Sequence, residues 1–106
     1  MKKRGFDWDA ANIAHLARHE IQTEEAEQII LNRPLDLESY IRNGEQRSAQ
    51  IGETDEGRIL VVVTTMQDEL VRVVTAWPAK ERLRNYLLSQ KRNGNVGRAQ
   101  DEDLRE

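Results

Sequence analysis

The chain has 106 residues and no cysteine, which excludes disulfides, thiol nucleophiles and cysteine-bound zinc. Histidine occurs twice, as His15 and His19, too few for a histidine metal site on their own. The six glycines are scattered among turns, so there is no glycine-rich phosphate loop, no Walker motif and no GxSxG nucleophile elbow. Acidic residues do not recur at calcium-loop spacing. No uncharged apolar run approaches the ~18–20 residues of a membrane span. Met1-Lys2-Lys3-Arg4 is basic, but Gly5-Phe6-Asp7-Trp8-Asp9 follows in place of an apolar signal region. A cytoplasmic location is therefore expected. Neither charge sign dominates: 16 Lys and Arg face 19 Asp and Glu, a formal net charge of −3, which excludes a strongly basic nucleic-acid coat.

What is present is arginine. Twelve of the basic residues are Arg and four are Lys. Arg presents a planar fork that matches two phosphate oxygens and remains protonated. Residues 93–106 carry Asp101, Glu102, Asp103 and Glu106 against Arg98 and Arg105. This segment reads as a polar, disordered tail beyond a single domain at residues 1–92.

The patterning changes period along the chain. Asp9 is a good N-cap, and residues 10–19 read as a helix with Ala10, Ile13, Ala14 and Ala17 on its apolar face and Asn12, His15 and His19 on another. Thr23 looks like the next N-cap, with Glu24 and Glu25 in the first turn. Ala26, Ile29 and Ile30 form that helix's stripe, and Asn32-Arg33-Pro34 stops it. From Leu35 apolar residues alternate, with Ser39 and Ile41 provisionally on the face of Leu35 and Leu37. Asn43-Gly44 is a hairpin turn pair. Residues 45–53 form the return strand, Asp55-Glu56-Gly57 a turn, residues 58–65 the central strand, and residues 70–76 a fourth strand. Pro78 suits the first turn of a last helix with Ala79, Leu83, Tyr86 and Leu87 on one face. The expected order is ααββββα: an α+β fold with two N-terminal helices, a four-stranded antiparallel sheet and a C-terminal helix.

Arg42, Arg47, Arg58 and Arg72 fall on strands or at their ends, with Arg82 and Arg84 on the last helix. Neighbouring strands lie ~4.8 Å apart, so Arg residues sharing a face can converge on one phosphate and stabilise the charge of a phosphoryl-transfer transition state. In the bland alternative they decorate a solvated face or pair with Glu38, Glu45 and Glu53. Parity sets Arg72 opposite Val71 and Val73, on the side of Val74. His15 or His19 can act as general acid–base near neutral pH, and Glu45 can orient Arg47 or act as a base. Trp8 reads as a core anchor, and Trp77 either as a stacking surface for a base or as a core aromatic.

The ordered set Trp8-Asp9-x-x-Asn12-x-x-His15-x-x-x-His19, Thr23-Glu24-Glu25-Ala26, Gly44-Glu45-x-Arg47, Gly52, Gly57-Arg58, Arg72-Val73-Val74-Thr75-Ala76, with Glu81-Arg82 and Tyr86, resembles the BrnT family of bacterial toxins across about residues 5–90. The resemblance implies a fold similar to the RelE ribonuclease toxins and the role of toxin in a type II toxin–antitoxin pair. Such a toxin cleaves RNA without a metal or other cofactor and stops translation. A BrnA-like antitoxin neutralises it, and the complex, not the toxin alone, engages operator DNA. Carried to this sequence, Arg47, Arg58, Arg72, His15, His19 and Glu45 are the expected catalytic set, with Arg18, Arg42, Arg82 and Trp77 holding RNA. Three positions depart from the family pattern: Glu20 where Gly is common, and Met66 and Trp77 where Arg is common. The second reading is a non-catalytic module of the same fold that pairs with an antitoxin-like repressor.

Overall fold

The run Ile59–Gln67 is apolar on both alternating sets of side chains, and such a strand is stable only where both sheet faces are covered. The computed structural model, which describes residues 2–3 and 5–93, places it inside a six-stranded sheet. In chain order the elements are β1 (Lys2–Lys3), β2 (Phe6–Asp7), α1 (Ala10–Ala17), α2 (Thr23–Leu31), β3 (Leu35–Arg42), β4 (Glu45–Glu53), β5 (Ile59–Gln67), β6 (Leu70–Pro78) and α3 (Glu81–Asn93). The spatial order is β1-β2-β6-β5-β4-β3.

The expectation of a four-stranded antiparallel sheet preceded only by helices is therefore wrong. β1 and β2 come before the helices, and β2 pairs in parallel with β6 through Phe6 and Val71, which makes the sheet mixed. Only the α+β class stands. Each of these strands has two residues, too short to show a period of two. The predicted tail, residues 94–106, lies outside the described residues.

β5 divides the core. Leu60 and Val62 pack with Phe6, Trp8, Leu16, Ile21, Ala26 and Ile29 under α1 and α2. Val61 and Val63 pack with Leu35, Ala49, Ile51, Leu83 and Leu87 under α3. The sheet thus lies between two helical layers, and each face has helix over only part of it.

Local departures have physical causes. α1 turns Asn12 and Leu16 inward and leaves Ile13 45% exposed, the reverse of the apolar-face reading. The reason is an edge: Asn12 Nδ2 donates to the Val73 carbonyl at 2.9 Å, satisfying a backbone acceptor of β6. Asp9 caps α1 as expected, accepting from the Asn12 N–H at 2.9 Å. The cap of α2 is Gln22, not Thr23; the Gln22 N–H donates to Glu25 Oε1 at 2.9 Å. A bulge between Asp36 and Glu38 keeps Leu35 and Leu37 on the α3 side and sends Ser39 and Ile41 to the other. Pro78 ends β6 instead of opening α3. The two-residue hairpins Asn43-Gly44 and Asp68-Glu69 have positive φ at both positions, the type I′ geometry that matches strand twist.

Candidate functional site

The β3–β4 hairpin fixes one half of the site by register. Arg42 opposes Glu45 and Tyr40 opposes Arg47, so these four share a face. Tyr40 packs with the second core cluster, which identifies the face as that of α3. Ser48 opposes Thr64, so Arg47 lies one step further along, beside Thr65, and Thr65 opposes Arg72 on β6. Arg47 and Arg72 therefore stand on one face, two strand spacings of about 4.8 Å apart, with Thr65 between them. Both guanidinium groups are partly buried, with side-chain exposures of 19% and 25%.

Each arginine has a carboxylate. Arg47 Nε donates to Glu45 Oε1 at 3.0 Å. Arg72 Nη2 donates to Asp9 Oδ2 at 2.7 Å, and its Nη1 lies 3.8 Å from Asp7 Oδ2. A guanidinium carries five N–H donors. The Arg47–Glu45 bond uses only Nε and leaves the Nη donors for another acceptor. Asp9 is held twice: the Asn12 backbone N–H and then the Arg72 guanidinium keep its carboxyl below its ordinary pKa.

Arg58 belongs elsewhere. Its Nη1 donates to the Glu20 carbonyl at 2.7 Å and to Glu25 Oε1 and Oε2 at 3.1 and 3.2 Å. That ties the β5 start to the α1–α2 turn, on the helix side opposite Arg47 and Arg72. The physical reason is that Glu20 has φ +58°, which turns its carbonyl in the turn where Arg58 meets it. His15 Nε2 shares a 2.8 Å hydrogen bond with Thr75 Oγ1, and the His15 and His19 rings meet edge to face at 5.8 Å. Thr75 is three residues beyond Arg72, roughly 10 Å along β6. Arg18 is exposed at the end of α1, and Arg82 is exposed in the first turn of α3. Trp77 is half-buried against the α3-side core with Val74 and Tyr86. Met66 is 64% exposed on the opposite face.

The structure thus gathers Arg42, Glu45, Arg47 and Arg72. It sets Arg58 on the opposite side of the sheet, and it places His15 on α1, Arg18 at its C-cap and His19 in the turn that follows. Sequence reasoning missed Thr65, which stands between the two arginines and whose hydroxyl donates to the Gln46 carbonyl at 2.7 Å, and Asp7 and Asp9 as carboxylates on Arg72. Asp9 was legible only as a helix cap. No group of three or more His, Cys, Asp or Glu side chains suited to a metal ion occurs among the described residues. No helix among them is long and apolar enough to cross a membrane.

An α+β domain with Arg42, Arg47 and Arg72 on one sheet face presents donors to an anion there. A family model described as the ribonuclease toxin BrnT of type II toxin–antitoxin systems matches residues 8–82. The chain belongs to that family. Among curated proteins and solved structures, nothing matches it.

Proposed function

We propose that this chain is the toxin of its pair and cuts RNA on the α3-side face, with Arg47 and Arg72 clamping the scissile phosphate across Thr65. The supporting observation is that register, not side-chain flexibility, sets both guanidinium groups on one face. Arg42, at the hairpin end of the same face, extends the cationic track along the RNA backbone. Arg18, Arg82 and Trp77 are further RNA contacts in this reading.

In the reaction, the ribose 2′-oxygen forms a bond to phosphorus while the bond from phosphorus to the 5′-oxygen breaks, leaving a 2′,3′-cyclic phosphate. Glu45, held by Arg47, accepts the 2′ proton, and water protonates the departing 5′-oxygen. Arg47 and Arg72 stabilise the added charge on the phosphoryl oxygens. His15 and His19, at the β6 edge, are the alternative proton carriers. Arg58, bound to Glu25 and to the turn carbonyls, supports the fold beneath the site. The chemistry needs no metal or cofactor. Cleavage of cytoplasmic RNA stops translation, a BrnA-like antitoxin neutralises the toxin, and operator DNA is engaged only through the complex.

The test is purified protein with RNA, with and without the antitoxin and with a chelator. Wild type should yield fragments with cyclic phosphate ends, unchanged by the chelator and suppressed by the antitoxin. Replacing Arg47 and Arg72 together with Ala should abolish cleavage and growth arrest; either persisting in a stably folded double variant rejects the site. Tight antitoxin binding without cleavage by wild type would select the non-catalytic module.

A further inference from the structure

The sheet treats its two edges differently. Along β6, the Asn12 side chain donates to the Val73 carbonyl, and the Val71 N–H donates to the Gly5 carbonyl at 2.8 Å. At the other edge, β3 presents eight residues with no strand on its outer side among the described residues. An unpaired edge of this length is a template for another chain, and proteins that have no use for one shorten or cover it.

Beside this edge, on the face opposite Arg47 and Arg72, lies an open trough of about 670 Å³. Its floor is a row of hydroxyl residues, Ser39, Ser48 and Thr64, in register across three strands. Asp36, opposite Gln50, stands on this face, Glu38 and Glu45 border the trough from strand positions whose register turns them to the α3 side, and no Lys or Arg lines it among the described residues. Glu38 is exposed and has no hydrogen bond or ion pair among the described residues. Two large apolar side chains on this face stand in solvent, Ile41 at 71% exposure and Met66 at 64%. An acidic lining repels RNA. It also disfavours a second copy of this chain, because β3–β3 pairing brings together two edge strands that each carry Asp36 and Glu38.

We infer that β3 and this trough form the docking surface for the antitoxin, which adds an extended segment as a seventh strand. The segment carries Lys or Arg where it meets Asp36 and Glu38, and an apolar residue where it meets Ile41. Main-chain hydrogen bonds supply affinity in such strand addition, and the alternating side chains supply specificity. The inference rests on the toxin–antitoxin reading and sets antitoxin capture apart from RNA cleavage: the side chains of Asp36 and Ile41, on the β3 edge, stand on the face opposite Arg47 and Arg72.

The probe is the product of the small reading frame beside this gene, co-expressed and purified with the full chain. Asp36→Lys with Ile41→Lys, both on the trough face, should weaken the complex by about 100-fold, equivalent to ~2.8 kcal/mol at 1.4 kcal/mol per tenfold, while the free protein's RNA cleavage and melting temperature stay at wild-type values. Arg47→Ala with Arg72→Ala should leave affinity within threefold. Hydrogen exchange should slow in residues 35–42 when the complex forms. Wild-type affinity in the Asp36→Lys, Ile41→Lys variant, or unchanged exchange in β3, overturns the docking surface. So does loss of a homodimer in that variant with antitoxin binding intact, which would assign the edge to a second copy. If wild type fails to bind the reading-frame product at all, the toxin–antitoxin reading itself is refuted, and this inference with it.

Discussion

Glu20 is a residue in a glycine's place, and its replacement has a calculable effect. α1 ends in a Schellman arrangement: the Ile21 N–H donates to the Leu16 carbonyl at 3.1 Å and the Glu20 N–H to the Ala17 carbonyl at 2.9 Å. Ile21 and Leu16 pack in the same core cluster, the apolar contact that accompanies this motif. The geometry requires a left-handed residue at position 20, and Glu20 adopts φ +58°. An L-residue there costs about 1–2 kcal/mol, and glycine avoids that while losing about 0.5–1 kcal/mol through its freer unfolded chain. Glu20→Gly should therefore stabilise the fold by about 0.5–1 kcal/mol, a rise of roughly 2–8 °C in melting temperature. The backbone carbonyl that binds Arg58 is retained in every variant. Glu20→Ala is the control: it removes the charge and keeps the Cβ, so it should gain little. Urea and thermal unfolding of the three proteins decide the matter. A Gly variant no more stable than the Ala variant would refute the argument. The choice of residue at position 20 then bears on the stability of the α1 terminus.

Three further predictions follow the same logic. Gly52→Ala places a Cβ 3.1 Å from Ile29 Cγ2 and 3.4 Å from both the Ile29 carbonyl oxygen and Pro34 Cβ, so overpacking should cost about 1–3 kcal/mol in denaturant unfolding. Asp68-Glu69→Asn-Gly supplies residues that accept the positive φ of that turn, 53° and 65°, and should raise the urea midpoint without changing the slope. The Asp9 carboxyl, held below its ordinary pKa first by the Asn12 N–H and then by Arg72, stabilises the fold above the unfolded-state pKa. That contribution disappears as pH falls through the folded value. Asp9→Asn should flatten the stability profile below about pH 4, whereas an unchanged acid limb would show that the cap and ion pair carry no linkage.

Where a long apolar period existed, the sequence was a sufficient guide. The stripes Ala26-Ile29-Ile30 and Leu83-Tyr86-Leu87 point inward as read, and β3, β4 and β5 lie close to their expected bounds. Failures occurred where a polar group had a structural task. Asn12 is buried because an edge carbonyl of β6 needs a donor, and a hydrophobic pattern contains no trace of that need. The bulge at Asp36/Glu38 inverted the faces of Ser39 and Ile41 because one inserted residue shifts a period of two by a full face. β2 is held by its pairing with β6 and not by its own pattern.

The arginines show how far this limit extends into the site. Parity assigns an arginine to a face, and it placed Arg72 with Val74, away from Val71 and Val73, as found. Parity cannot assign its partner. Arg47 and Glu45 are two apart on one strand, so their pairing was open to inspection. Arg72 takes Asp9 from 63 residues away, and Arg58 takes Glu25 from 33 away. Both of those partners sit in or before a helix, and both helices reach the arginines only because the sheet is laid out as it is. An isolated strand position therefore tells which arginines can converge, while the topology decides which of them is already occupied by a helix. Arg58 shows the difference: strand chemistry made it equivalent to Arg72, yet the α1–α2 turn claims its guanidinium and removes it from the face where Arg47 and Arg72 remain.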